Sequence, residues 1–329
     1  MLIMTKKGLY CRAGDFYIDP KSGVDHAIVT HAHSDHARRG SRQYYCVDLG
    51  VSLLKARLGK KISVQAVPYR ESFSMRDVKI SFHPAGHILG SSQVRLEFAG
   101  QVWVVSGDYK RDPDPTCEPF EVVACDVFIT EATFGTPAYT WNRDADVGQR
   151  IFDWWRENDS RGMNSVLFAY SLGKTQRILA TLKQHAYKPI YCHPAAAELN
   201  SCYREHGVEM AATICMSSMA EDEVLSGELI IAPMAFLRSD QARVLGKKYR
   251  TAFASGWVNT RRGSYDQGFQ LSDHADWNDL LQTVRETGAR YVYVQHRSGS
   301  LVRKLKSWGL KAFPDTALFP KNPAQLTLL

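Results

Sequence analysis

The chain has little that would staple or anchor it. Its 329 residues include seven cysteines, an odd number, and no Cys-x-x-Cys pair. Cys11, Cys46, Cys117, Cys125, Cys192, Cys202 and Cys215 are scattered, which argues against a disulfide framework and for reduced thiols. A thiolate zinc site has only Cys192 beside His193 to draw on. No stretch approaches the ~20 apolar residues of a membrane span. Met1-Leu2-Ile3-Met4 is too short for a signal-peptide core, and Lys6-Lys7 follows it rather than precedes it. The expectation is a cytoplasmic protein with no membrane partner. Internal repeats and low-complexity tracts are also missing, which excludes a repeat array.

What is present suits one large core or two smaller ones, since 44% of the residues are hydrophobic. The net charge is +7, with basic pairs at Arg38-Arg39, Lys60-Lys61, Lys110-Arg111, Lys247-Lys248 and Arg261-Arg262. Clustered Lys and Arg are the footprint of phosphate binding, although a single pair is more often solvated surface.

The densest chemistry lies in Thr30-His31-Ala32-His33-Ser34-Asp35-His36. It follows an apolar, strand-like segment, so it forms a tight loop on which imidazoles can converge. Neutral imidazole and carboxylate suit zinc, manganese or iron. The first and second pairs of ligands can serve two adjacent metals, an arrangement that cleaves ester and phosphodiester bonds. Alone, a His-rich loop also reads as a passive metal sink. Further groups therefore matter. His87, Asp108, Glu131 and His296 each follow or end a strand-like segment, and rigid strands aim such residues at one point. Ser171 and Lys174 lie where a strand gives way to a helix, whose exposed N–H groups attract phosphate. Arg38 and Lys110 flank the candidate metal loops and suit the same role.

Short strands with Gly and Asp turns dominate the first ~135 residues. They are expected at 15–18, 27–30, 79–83, 94–98, 101–106 and 126–130. From about Asp144 to Ser255, strands alternate with amphipathic helices at 173–185 and 195–206. That rhythm implies a parallel sheet with helices on both faces. After Gly256 come a helix over 277–287, a strand over 291–295 and a helix over 300–308.

With these segments placed, the chain resembles the β-CASP branch of the metallo-β-lactamase superfamily, which holds RNA-processing and DNA-repair nucleases. The histidine run, Ala85-Gly86-His87-Ile88-Leu89-Gly90 and Ser106-Gly107-Asp108-Tyr109 are similar to its metal motifs. Thr130-Glu131-Ala132-Thr133-Phe134-Gly135, Leu271-Ser272-Asp273-His274-Ala275-Asp276 and Val294-Gln295-His296 resemble the three β-CASP motifs. Tyr170-Ser171-Leu172-Gly173-Lys174-Thr175-Gln176 is similar to a strand-to-helix turn of the family. Many relatives carry glycine after the last histidine, where this chain has Arg297.

The resemblance implies an α/β fold, an αββα sandwich with an inserted α/β cap. The corresponding segments are 1–138 and 256–329 for the sandwich and 139–255 for the cap. It implies two divalent ions, zinc or manganese. His31, His33, His87 and Asp108 would hold one; Asp35, His36, Asp108 and His296 would hold the other. It makes Asp35, His274 and Glu131 the catalytic set, with His274 protonating the leaving oxygen and Glu131 orienting its ring. Ala254-Ser255-Gly256-Trp257 and the segment around His274 look most like the bacterial DNA-ligase-associated exonucleases. The implied activity is DNA exonuclease action in repair, with DNA as substrate and a ligase and a helicase as functional partners. An RNA 3′-end-processing or decay nuclease of the same fold is the first alternative. A small-molecule hydrolase fits less well, since an insert of about 110 residues suits a polymer cleft. A binding subunit without activity would have lost ligands that this chain retains.

Overall fold

The computed structural model describes residues 1–143, 146–220, 222–258, 263, 265–296 and 299–320. Asp144, the Arg261-Arg262 pair and Arg297 lie outside the described residues. The chain divides into one unit of Met1–Thr140 with His274–Leu329 and a second of Trp141–Asp273.

The first unit opens with short strands, of which the first and third alternate buried and half-buried positions. β1 (Leu2–Thr5), β2 (Gly8–Cys11), β3 (Phe16–Ile18), β4 (His26–Ile28), β5 (Gln43–Val47) and β6 (Val64–Val67) form one sheet in that order. β3 to β6 run parallel, which requires crossovers. The crossover between β5 and β6 is α1 (Val51–Leu58), which buries Leu53, Leu54 and Leu58. A second sheet begins with β7 (Ser72–Met75), β8 (Val78–Pro84), β9 (Ser92–Phe98), β10 (Gln101–Val105) and β11 (Val127–Thr130). Side chains alternate across a strand. One set, including Ile80, Phe82, Leu96, Val105 and Ile129, therefore meets Met4, Leu9, Ile18 and Ile28 of the first sheet in a shared core.

The second unit contains α2 (Val147–Asp159), β12 (Asn164–Phe168), α3 (Lys174–Thr181), β13 (Ile190–Cys192) and α4 (Pro194–Glu205). It continues with β14 (Thr213–Cys215), β15 (Leu229–Ala232), β16 (Tyr249–Ala254) and β17 (Gln267–Phe269). Its sheet has the order β14-β13-β15-β12-β16-β17, and every pairing is parallel. Parallel strands are covered on both faces and read as continuous apolar runs. Leu229-Ile230-Ile231-Ala232 is buried throughout for this reason. α2 starts at Asp146, whose side chain accepts from the Gln149 N–H and caps the helix. Ile151, Trp155, Ile178 and Leu179 pack on Leu167, Ile231 and Ala252. The opposite face departs from the expected helices. Val166, Phe168 and Ile230 there meet Phe236, Val244 and Leu245 from 3-10 turns at Met234–Arg238 and Asp240–Leu245. Pro233 and Gly246 bound these turns and stop longer helices from forming. This unit also runs later than the boundary read at residue 255, because β17 pairs with β16.

The chain returns to the first unit through α5 (Trp277–Thr287), β18 (Tyr291–Val294), α6 (Gly299–Ser307) and β19 (Lys311–Pro314). β18 and β19 extend the second sheet to seven strands, ordered β19-β18-β11-β10-β9-β8-β7. Val104, Phe128 and Val292 on its outer side pack against Leu280 and Val284 of α5 and Leu301 and Leu305 of α6. With α1 on the first sheet, the layering is αββα, and the class is α/β.

Candidate metal centre

Strand direction assembles this site. β8, β10, β11 and β18 point the same way, because β9 is antiparallel to both β8 and β10 while β10, β11 and β18 are parallel. His87, Asp108 and Glu131 follow β8, β10 and β11, so they emerge at one edge of the second sheet. The histidine run follows β4 of the first sheet. Two glycines allow the loops to close in. Gly86 has φ of 72°, and a Cβ there would stand 2.3 Å from the Lys110 carbonyl oxygen. Gly107 has φ of 56°, and its Cβ would meet that of Thr30 at 2.8 Å. Gly86→Ala is therefore expected to destabilise the fold by roughly 2–3 kcal/mol, combining strain and overlap. Denaturant unfolding checks this; an unchanged midpoint would refute the tight fit.

Around the edge, ligand atoms of His31, His33, His87 and Asp108 all lie within 4.8 Å of one another. His33 Nδ1 and His87 Nε2 are 3.0 Å apart. Asp108 Oδ2 lies 3.6 Å from His31 Nε2, 3.5 Å from His36 Nε2 and 3.8 Å from His87 Nε2. Two buried atoms here, His31 Nε2 and Asp108 Oδ1, have no hydrogen-bond partner. Buried polar atoms are rarely left so, and two at one point of imidazoles and carboxylate fit a divalent ion. The charge states agree with this fit. Burial, then His36 and His87, hold the His31 pKa well below its ordinary value, leaving a neutral ring with a donor lone pair. Burial works against the Asp108 carboxylate, but His36 and His274 outweigh it and keep its pKa well below the usual range.

A second group adjoins the first: Asp108, Glu131 and His274. His274 Nδ1 lies 3.0 Å from Glu131 Oε2 and 4.0 Å from Asp108 Oδ2. Glu131 is fully buried, accepts from the Tyr109 N–H at 2.7 Å and faces the Thr133 N–H at 3.4 Å. These donors fix its carboxylate, which in turn fixes one edge of the imidazole. The ring of Phe134 stands edge-on to His274 at 5.9 Å between centroids.

Asp19 belongs to the site and is absent from the sequence reading. Its Oδ2 accepts from Thr30 Oγ1 at 2.6 Å and lies 2.7 Å from His36 Nδ1, while Oδ1 accepts from the Thr30 N–H at 2.8 Å. It holds a left-handed φ of 45°. Burial disfavours the charged ring of His36, yet Asp108 and Asp19 together keep its pKa well above the ordinary value. The available signal was an aspartate closing a strand in Ile18-Asp19-Pro20, the criterion already applied to Asp108. A carboxylate behind a ligating histidine typically contributes 10–100-fold to metal affinity. Asp19→Ala is thus expected to weaken metal binding by about that factor. Competition with a chromogenic chelator measures it, and wild-type affinity would remove Asp19 from the site.

Other residues named from sequence are placed differently. Asp35 is exposed, with Oδ2 3.7 Å from His36 Nε2, and lies outside both groups. His296 is exposed at the end of β18 with φ of 62° and is brought to neither group. Lys110 is corrected: its ammonium is wholly buried and paired with Asp114, so it does not face a phosphate. Lys174 is corrected likewise, being 3% exposed and 2.7 Å from Asp273 Oδ2. Ser171 is half-buried, and Arg38 is exposed.

No protein-family model matches the chain. A probable DNA ligase of Opitutus terrae is 30% identical over 320 residues, covering 93% of this chain and 30% of that protein. Endoribonuclease YSH1 of Saccharomyces cerevisiae is 29% identical over 126 residues, covering 37% of this chain and 16% of the relative. An RNase J-like protein of Methanocaldococcus jannaschii is 26% identical over 191 residues, covering 51% and 45%. The chain thus spans less than half the length of each. These relatives point to the metallo-β-lactamase/β-CASP nuclease family. The crystal structure of a protein of unknown function from Enterococcus faecalis V583 shares the fold, with a TM-score of 0.55 at 12% identity. It covers 82% of this chain and 74% of its own. Among the described residues, no helix is long and apolar enough to cross a membrane.

Proposed function

We propose that the chain is a metal-dependent DNA exonuclease, hydrolysing phosphodiester bonds at a two-metal site in DNA repair beside an ATP-dependent DNA ligase. The observation that carries this reading is the convergence of His31, His33 and His87 on Asp108, whose Oδ2 lies 4.0 Å from a His274 paired to Glu131. His31, His33, His87 and Asp108 would hold one ion. Asp108, His36 and Asp35 would hold the second, with His296 as its proposed further ligand. Three imidazoles favour zinc, with manganese as the alternative. Bound there, such ions would supply an activated water and neutralise phosphate charge.

The chain's own groups would do the rest. His274 presents Nδ1 to Glu131, so Nε2 would carry the proton transferred to the leaving sugar oxygen. Glu131 holds the ring and stabilises its charged form. Arg38 and Ser171 are the proposed phosphate contacts. The ligase relative, matched along nearly the whole chain, supports a place beside ligation, with a helicase as a further functional partner. The seven cysteines are scattered along the sequence with no Cys-x-x-Cys pair, which supports a reducing, cytoplasmic setting. A second reading, an RNA-processing nuclease of the same fold, draws support from the endoribonuclease and RNase J-like relatives.

End-labelled single-stranded DNA and matched RNA, digested with zinc or manganese, separate the two. Stepwise, metal-dependent shortening of DNA is expected. Cleavage of RNA alone would transfer the protein to RNA processing.

A further inference from the structure

Lys174 is not a phosphate ligand, yet its environment is elaborate. It opens α3, and its Nζ donates to the Leu271 carbonyl at 2.6 Å and lies 2.7 Å from Asp273 Oδ2. One helical turn on, Arg177 donates to the Ser272 carbonyl, and its Nη1 lies 3.4 Å from Asp273 Oδ1. Asp273 is itself 5% exposed. Two buried or nearly buried cations thus hold three consecutive residues by two carbonyls and a carboxylate. All these contacts lie within the second unit. The next residue along the chain is His274. On its other side, in the first unit, the Ala275 N–H donates to the Tyr109 carbonyl at 2.7 Å, and the Asp276 side chain accepts from the Asp279 N–H at 2.8 Å.

Desolvating a lysine, an arginine and an aspartate together is costly, and apolar replacements would often serve stability as well. What such a network does supply is a fixed backbone. Proton transfer is sensitive to misplacement of about 1 Å. We propose that Lys174 and Arg177 are positioning residues for the proton-donating step, clamping Leu271, Ser272 and Asp273 so that the adjoining His274 stays aligned. This role rests on the reading of His274 as the proton donor.

Leaving-group dependence tests it. A DNA phosphodiester expels a sugar alkoxide that needs a proton, whereas thymidine 5′-(4-nitrophenyl phosphate) expels a nitrophenolate that does not. The full-length, metal-loaded protein is assayed on both, as wild type, His274→Ala, Lys174→Gln, Arg177→Gln and Arg177→Lys. Unfolding curves show which variants fold. Arg177 has a side chain 12% exposed, so its variants keep the test alive if Lys174→Gln does not fold. Arg177→Gln is expected to lower kcat on DNA about 10-fold, at unchanged KM, with the nitrophenyl ester cleaved near the wild-type rate. Arg177→Lys is expected to recover most of the loss. Parallel losses on both substrates, a KM effect alone, or no loss in a folded variant would overturn the positioning role. Wild-type protein inert on both would overturn the proposed function itself, and the role with it. If wild type is active but His274→Ala loses both activities equally, the donor assignment fails, and the positioning role with it.

Discussion

Asp108→Asn is expected to empty the metal centre and to lower phosphodiester hydrolysis by roughly 10³-fold or more. The reason is the number of groups that depend on one carboxylate. Asp108 Oδ2 lies within 4.0 Å of nitrogens on His31, His36, His87 and His274, and Oδ1 is buried without a partner. Two dications close together need compensating negative charge, and a carboxylate shared between them is the strongest single source. Asparagine keeps the shape and removes the charge, so loss of fold is not the expected cause. Elemental analysis after dialysis, beside the rate on DNA, checks both halves. A variant that keeps its metal and its rate would remove Asp108 from the centre.

His274→Ala is expected to behave in the opposite way with respect to metal. Hydrolysis of DNA should fall by about 10²–10⁴-fold, the usual range for losing a positioned proton donor. Metal content should stay at the wild-type level. The geometry separates the two roles: His274 Nδ1 is committed to Glu131 at 3.0 Å, and Glu131 is held by backbone N–H groups. Loss of metal together with activity in this variant would instead make His274 a ligand, as its place in the Asp108, Glu131 and His274 group also permits.

The ligand cluster was legible because its signal is local. His31 and His33 share one loop, and His87 and Asp108 each follow an apolar strand that the period-2 pattern reveals. The αββα layering was legible through resemblance, and the parallel sheet of the second unit through its alternation of strands and helices. Other features depend on partners distant in sequence. Lys174 reads as a free phosphate ligand until Asp273 is seen beside it. Lys110 is misread for a simpler reason, since its partner Asp114 lies only four residues on. Asp19 is invisible as part of the site until the fold brings it to His36. Strands such as β1 and β2 are too short for periodicity to register. α1 follows Gly50 without a side-chain cap, so nothing in the sequence marks its start. β17 is only three residues long and leaves little periodic signal, so its pairing with β16, which carries the second unit past residue 255, is not visible in the sequence.

The most direct test of the central claim is a crystal grown with zinc and measured on either side of the zinc absorption edge. Two anomalous peaks are expected, roughly 3.5–4 Å apart. One should be ligated by His31, His33, His87 and Asp108, the other by Asp108, His36 and Asp35, with His296 joining it. No peak at Asp108 in crystals soaked with zinc would contradict the account.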